Sequence, residues 1–131
     1  MADPHLFPVT VYYEDTDMAG IVYYANYLRY IERARSEIVE QLGLDQNAMR
    51  AAGIVFAVTR VEADYISSAR LGDRLTIHTR HWPKGAVRWM FTQEVKRGDD
   101  LIFRAEVTAV TMSTAGKPVR LPAELRARLD G

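Results

Sequence analysis

The sequence predicts an α+β protein in which an antiparallel sheet wraps around one long helix. Two observations predict this fold class. The segment 25–42 repeats apolar residues at spacings of three and four, as the buried face of a helix does. From residue 53 onward, four segments instead alternate apolar and polar residues and are separated by short turns. Helices and strands that are segregated along a chain are typical of α+β folds.

Length and composition limit the classes of protein to consider. At 131 residues the chain fits a single domain over residues 1–131. Its 17 basic residues balance its 17 acidic residues, so no overall charge favours nucleic acid as a partner. The absence of cysteine excludes disulfides and thiol chemistry. We expect no membrane insertion, because no apolar run reaches roughly 20 residues, and a cytoplasmic location, because the first residues lack a signal peptide.

The first predicted elements are a strand and the long helix. Residues 7–13, FPVTVYY, are β-branched and aromatic, which favours a strand, and an acidic turn over 14–20 follows. The helix ends near Gly43, which suits a C-cap, and Asp45 can cap a short second helix over 45–52. The stripe of the long helix, in which only an arginine is not apolar, consists of Leu28, Ile31, Arg35, Ile38 and Leu42, widened by Tyr27, Ala34 and Val39.

Strands account for most of the remaining chain. Their predicted bounds are 54–65, 74–82, 86–96 and 101–113, and a last helical turn is expected within 122–129. Short connections rich in glycine predict that successive strands are antiparallel neighbours, as in a meander. A sheet with one apolar face buries both itself and the helix stripe when it wraps around the helix, but these patterns alone leave other α+β arrangements open.

Residues 11–32, VYYEDTDMAGIVYYANYLRYIE, carry a motif that is far more specific than these patterns. The order of its fixed positions resembles the signature of the 4-hydroxybenzoyl-CoA thioesterase family, which includes acyl-CoA thioesterases associated with bacterial Tol-Pal genes. The resemblance implies the hotdog fold, in which the antiparallel sheet wraps around the central helix. It also implies hydrolysis of an acyl-CoA thioester to the free acid and coenzyme A.

The resemblance assigns the catalytic roles to the acidic turn and the start of the helix. It implies that Asp17 acts as nucleophile or general base, and that the backbone amide of Tyr24 polarises the thioester carbonyl. Gly20 lets the chain turn tightly into the helix. The alternative for Asp17 is a turn-stabilising role, which we also consider the better interpretation of Asp15. Many Tol-Pal-associated members have His where this chain has Tyr24, so an acid–base role for that side chain is unsupported here.

Substrate contacts are expected on the same helix and on the sheet. Tyr23 and Tyr27 could line an acyl pocket, although aromatic residues are as often packed in a core. Asn26, also expected at the substrate site, could orient its neighbours by hydrogen bonds or could equally cap the helix. Coenzyme A is a polyanion and requires cationic contacts. The candidate cations, each of which could instead be a solvated surface charge, are Arg60, Lys84 and Arg88.

The sequence also bears on metal binding, on the oligomeric state and on the competing functions. No metal site is expected, since His5, His78 and His81 lack zinc-ligand spacing, and coenzyme A enters as part of the substrate rather than as a cofactor. Family members pair through their sheets, so we expect a homodimer at least and a homotetramer by preference. The competing functions are a non-catalytic acyl-CoA sensor or subunit, and a hotdog hydratase or dehydratase, which the lack of histidine in the long helix disfavours. The sequence leaves the identity of the acyl group open: short-chain, long-chain or aromatic.

Overall fold

The computed structural model describes residues 3–130 and contains one five-stranded antiparallel sheet with three helices. The predicted α+β class is confirmed. The elements in chain order are β1 (His5–Thr10), α1 (Tyr24–Gln41), α2 (Gln46–Ala51), β2 (Ile54–Tyr65), β3 (Arg74–Lys84), β4 (Arg88–Arg97), β5 (Asp100–Ser113) and α3 (Ala123–Asp130). None of the helices in the described part of the chain is both long and apolar enough to cross a membrane.

The strand order is β1-β3-β4-β5-β2, which corrects the predicted meander. Strands β3, β4 and β5 are consecutive neighbours as expected, but β2 pairs with β5 and not with β3. The connection 66–73 leads from the edge strand β2 to β3, which lies next to the opposite edge strand β1. It passes the start of α1, where Ala69 accepts a hydrogen bond from the amide of Val22. A glycine turn before β3 therefore marks the end of a crossover, which a turn signal alone does not distinguish from a hairpin.

The first strand is shorter than predicted, because it ends at Thr10 instead of residue 13. The amide of Tyr12 donates to the carboxylate of Asp15 at 2.8 Å, and residues Tyr13–Asp15 form a 3₁₀ turn. A local side-chain bond of this kind competes with the strand ladder. The strand therefore ends before Tyr12, and the chain leaves the sheet and continues as the acidic turn.

The core lies between α1 and the inner face of the sheet. Tyr30, Ile31 and Ala34 of the helix are fully buried, as are Ile77 and Val107 of the sheet. The predicted stripe is largely confirmed, but Leu28 is 37% exposed and lies at its edge. Arg35, the polar residue of the stripe, donates a hydrogen bond to the buried side chain of Gln93. The helix is thus joined to the sheet by apolar packing and by polar contacts, among them a second one in which Nε2 of Gln93 donates to the carbonyl of Ile31.

The predicted signals at the end of the long helix are confirmed. Gly43 has a φ of +76°, as a left-handed C-cap requires. The carboxylate of Asp45 accepts from the amide of Ala48 and caps α2. The last helical turn is longer than a single turn and forms α3, whose Leu125 is buried in the core.

Candidate active site

Asp17 lies in a tight turn before α1. Thr16 and Val22 form a β-bridge, and the amide of Asp17 donates to the carbonyl of Ile21 at 3.0 Å. The turn closes through Gly20, whose φ is +78° and whose amide donates to the carbonyl of Asp17. One carboxylate oxygen of Asp17 accepts from the amide of Ala19 at 2.9 Å. The turn therefore holds an exposed carboxylate in a defined orientation.

Asp15 joins this turn to the helix and is itself buried. Its side chain accepts from the amide of Tyr12, while its carbonyl accepts from the amide of Tyr23 at 3.0 Å and from Nδ2 of Asn26 at 2.9 Å. These contacts are structural, which agrees with the turn-stabilising interpretation of Asp15. They also correct the alternative for Asn26, which lies in the first turn of α1 and does not cap it.

The start of α1 offers backbone donors. Tyr23 is the residue before the helix, and no side chain caps it. The amides of Tyr23 and Asn26 are bonded to Asp15 and Tyr23 respectively, but within residues 3–130 no hydrogen bond has the amide of Tyr24 as its donor. Free amides at a helix start, together with the helix dipole, favour negative charge. The residue at which the motif places the carbonyl-polarising donor is thus the first residue of the helix.

The four tyrosines near the helix start separate into two groups. Tyr23 and Tyr24 are 45% and 60% exposed, and their ring centroids are 4.9 Å apart. Tyr27 and Tyr30 are buried; Tyr27 stacks on Phe103, and its hydroxyl accepts from the amide of Ala69. This placement favours the packing role of Tyr27 over the expected substrate contact.

The electrostatics link Tyr23 to the acidic turn. The neighbouring Tyr24 hydroxyl raises the pKa of Tyr23, and the negative charge of Asp17 contributes to the same effect. The phenol of Tyr23 therefore stays protonated and can donate a hydrogen bond. Its exposed ring is thus close enough to Asp17 for the two side chains to interact electrostatically.

Tyr65, which the sequence interpretation missed, also contacts this region. Its hydroxyl donates to the carbonyl of Tyr24 at 3.0 Å, and the two rings meet edge to face with centroids 6.2 Å apart. Tyr65 is the last residue of β2. An aromatic residue at a strand end is a weak signal, and the crossover that places this end beside the helix was not foreseen.

The candidate cations for coenzyme A are not close to the turn within one chain. Lys84 and Arg88 pair across the β3–β4 hairpin, and Arg88 pairs with Val110 of β5. Phe103, which pairs with Tyr65, is about 24 Å from Val110 along β5 at the usual rise per residue. Arg60 lies between these ends on β2 and forms an exposed ion pair with Glu62. Within one chain, these cations are therefore distant from Asp17.

The described residues, 3–130, contain no group of three or more histidine and acidic side chains able to hold a metal ion. Two carboxylates of the acidic turn accept hydrogen bonds from backbone amides: Asp15 accepts from Tyr12, and Asp17 accepts from Ala19. The groups brought together at this end of the molecule thus include the exposed carboxylate of Asp17, backbone amides at the helix start and exposed phenols.

Comparison with known proteins identifies the family of this chain. Residues 11–129 match the thioesterase-like superfamily. The acyl-CoA thioester hydrolase YbgC of Escherichia coli is 37% identical over 118 residues, 88% of each chain. The acyl-CoA thioesterase YbgC of Haemophilus influenzae is 35% identical over 92% of this chain and 90% of its own.

Solved structures give the same result for the fold. A probable thioesterase from Bartonella henselae superimposes with a TM-score of 0.84 at 33% identity, covering 91% of this chain and 99% of that one. The hotdog arrangement expected from the motif, with the sheet wrapped around the central helix, is therefore confirmed. With its family match over nearly the whole chain and these relatives, the protein belongs to the thioesterase-like superfamily.

Proposed function

We propose that the protein hydrolyses acyl-CoA thioesters with Asp17 as the reacting carboxylate. The observation that carries this proposal is the exposed Asp17 carboxylate on a closed turn that is joined by Asp15 to an uncapped helix start. The names of the Escherichia coli and Haemophilus influenzae relatives support the reaction class. A thioester carbonyl needs only a nucleophile or an activated water and stabilisation of the developing oxyanion.

Asp17 can supply the nucleophile in two ways. One carboxylate oxygen is engaged by the amide of Ala19, which leaves the other oxygen to react. It attacks the carbonyl carbon and expels the coenzyme A thiolate, giving an anhydride that water hydrolyses, or it removes a proton from a water molecule that attacks instead. Both routes consume one water and yield the free acid and coenzyme A, and neither calls for a cofactor.

The backbone amide of Tyr24 stabilises the oxyanion in this proposal. It is at the first position of α1 and has no acceptor among the described residues. Gly20 allows the chain to reverse with a φ of +78°, and in this proposal the reversal presents the carboxylate and the helix start to the same thioester. A backbone donor is already oriented before substrate arrives, so it requires little reorganisation during the reaction.

Binding of the substrate involves the remaining candidates. Tyr23 is exposed beside Asp17 and can contact the acyl or pantetheine portion. Asn26 acts through Asp15 by holding the turn against the helix. Lys84, Arg88 and Arg60 bind the phosphates of coenzyme A, and because they lie far from Asp17 within one chain, a second copy must supply some of these contacts.

We therefore propose that the active protein is a homo-oligomer, with a dimer as the minimum and a tetramer as the expected form. Strand β2 is an edge of the sheet, and its inward side chains Val58, Val61 and Tyr65 are all more than 40% exposed. An unpaired edge of this length is normally covered. Pairing of two β2 edges in a twofold dimer covers both and brings the turn of one chain to the sheet of the other.

The test is thiol release from a panel of short-chain, long-chain and hydroxybenzoyl thioesters of coenzyme A, with wild type beside Asp17→Asn. We expect turnover to fall by roughly a hundredfold or more in the variant, because the amide cannot act as nucleophile or base. The matched control is Glu14→Gln, which neutralises an exposed carboxylate in the preceding 3₁₀ turn and should keep wild-type turnover. Full activity in Asp17→Asn contradicts the proposal.

A further inference from the structure

A cavity beside α1 is a candidate binding site for part of the acyl group. A cavity of about 190 Å³ opens between the middle of α1 and the first half of β2. Its walls are mainly apolar and include Phe56, Val58, Trp89 and Phe91. Three polar side chains of α1 also line it, namely Glu32, Arg35 and Ser36. The cavity therefore combines an apolar body with two charged side chains, the guanidinium of Arg35 and the exposed carboxylate of Glu32.

Arg35 is held in this cavity by a fixed acceptor. Its Nη1 donates to Oε1 of Gln93 at 2.9 Å, and its guanidinium is 5.9 Å from the ring centroid of Phe91. Gln93 is fully buried, and its own amide donates to the carbonyl of Ile31 and the hydroxyl of Thr79. Because both donors of Gln93 are engaged, its oxygen can only face the arginine. The guanidinium is thus oriented before any ligand binds.

The charge of Arg35 is incompletely compensated. Within residues 3–130 no carboxylate lies within ion-pair distance of its guanidinium. Burial lowers the pKa of Arg35, and the more distant charge of Glu32 opposes this effect only in part. Glu32 lines the same cavity, but its side chain is exposed, so water screens its charge. A guanidinium has five donors, so an oxygen anion in the cavity would find unused ones.

The cavity becomes relevant to catalysis when two chains pair. Tyr65 ends β2 beside Tyr24, whereas Phe56 and Val58 of the cavity are near the beginning of that strand. Twofold antiparallel pairing of two β2 edges brings the end of one strand to the beginning of the other. Asp17 of one chain then faces the cavity of its partner. This step rests on the proposed function.

We propose that Arg35 selects acyl groups whose far end carries a carboxylate, which it binds in this cavity while the thioester lies at Asp17 of the neighbouring chain. An apolar cavity of about 150 Å³ accepts a six-carbon ring, so the 190 Å³ here suits an acyl group of about six carbons. The substrate class is therefore the coenzyme A monothioester of a short dicarboxylic acid, and hydrolysis releases the diacid.

The kinetic test compares two thioesters of nearly equal shape, adipoyl-CoA and 6-methylheptanoyl-CoA, which end in a carboxylate and in an isopropyl group. Wild type should favour adipoyl-CoA in kcat/KM by roughly ten- to a hundredfold, the range expected for hydrogen bonds to a charged group. Arg35→Met keeps the volume and should abolish or reverse that preference while retaining activity on 6-methylheptanoyl-CoA. Arg33→Met, which removes an exposed cation of the same helix, should retain the wild-type ratio. An unchanged ratio in Arg35→Met overturns the proposal.

A binding measurement separates this proposal from the proposed function. Trp89 lines the cavity, so adipate should quench its fluorescence saturably in a Trp82→Phe background, where Trp89 is the only tryptophan. The quenching should be lost when Arg35→Met is added, with circular dichroism confirming the fold. If wild type hydrolyses no thioester but adipate still quenches, the proposed function fails and the cavity site stands. If adipate gives no quenching, the cavity site fails whatever the activity.

Discussion

Asn26 connects the two halves of the proposed site through one buried side chain. Its Nδ2 donates to the carbonyl of Asp15, and its Oδ1 accepts from Arg29. Asp15 in turn holds the residues before the Asp17 turn. The distance between the reacting carboxylate and the helix amides therefore depends on a residue that need not touch the substrate, and displacements of about 1 Å are costly in catalysis.

At this residue, Asn26→Ala should reduce both stability and turnover. Loss of a buried hydrogen bond is expected to lower the free energy of unfolding by about 1–2 kcal/mol, measured by urea denaturation. The kcat should fall more than KM rises, because the turn loses its position relative to the helix while the binding surface stays. Asn47→Ala, on the exposed surface of α2, should change stability by less than about 0.5 kcal/mol. Equal effects of the two substitutions would contradict the positioning role.

His81 makes stability depend on pH. Burial, and secondarily the nearby charge of His5, lowers the pKa of His81, and its Nδ1 accepts from Nε1 of Trp89 at 3.2 Å in the neutral form. The unfolded chain, with a pKa near 6.5, binds the proton more readily than the folded one. Stability is therefore complete above that value and declines as the pH falls below it.

Urea unfolding at pH 7.5 and 5.5 should show this decline in wild type. In His81→Gln, whose amide oxygen can still accept from Trp89, the difference between the two pH values should shrink. It should not vanish, because burial also lowers the pKa of His78. A difference as large in the variant as in wild type would assign the pH dependence to other groups.

At the scale of elements, the two edge strands are not equivalent. Strand β1 is short and contains Pro8, a residue that blunts an edge. Strand β2 spans Ile54–Tyr65 and is irregular only between Val58 and Arg60. Its length and exposed apolar side chains favour β2 as the pairing edge.

Val61→Glu tests this difference between the edges. Val61 is 42% exposed in the single chain, so a glutamate there costs the monomer little but places like charges together in a twofold interface. Light scattering at micromolar concentration should show a smaller species than wild type, with lower specific activity. Leu6→Glu, which makes a similar change on β1 at a residue that is 54% exposed, should leave the mass unchanged. If Leu6→Glu gives the smaller species and Val61→Glu keeps the wild-type mass, the interface is at β1 instead.

At the scale of the whole molecule, Lys84 and Arg88, two of the cations assigned to coenzyme A, lie at the opposite end of the sheet from Tyr65, which contacts the start of α1. The double variant Lys84→Ala, Arg88→Ala should raise KM about fivefold or more with kcat nearly unchanged, because it removes binding that is equal in ground and transition states. The KM of wild type should also rise with salt more steeply than that of the variant. Arg50→Ala, on exposed α2, is the control. An unaltered KM in the double variant would show that Lys84 and Arg88 do not bind coenzyme A.

The extent to which the sequence predicts this molecule differs between its parts. The bounds of β2 agree at both ends and those of α1 within a residue, because long periodic segments carry a strong signal. The turn around Asp17 was predicted since its geometry is local. The β2–β5 pairing was not predicted, because it depends on which edge is free once the sheet has formed. Arg35 was seen only as an exception in an apolar stripe, and its partner Gln93 is far away in sequence.

The pairing of β2 with β5 has a consequence for how the protein is made. On the ribosome β2 emerges before β3, β4 and β5. Its pairing partners lie in β5, where Phe103 pairs with Tyr65 and Ser113 pairs with Ile54, so β2 cannot pair until β5 has been translated. Until nearly the entire chain has been translated, both edges of β2 are unpaired, and contacts between distant segments form slowly. Nascent chains on neighbouring ribosomes can meet in this interval through the same strand that we propose pairs in the finished oligomer. The synthesis rate and chaperone supply should therefore limit the yield of this protein more than its final stability does.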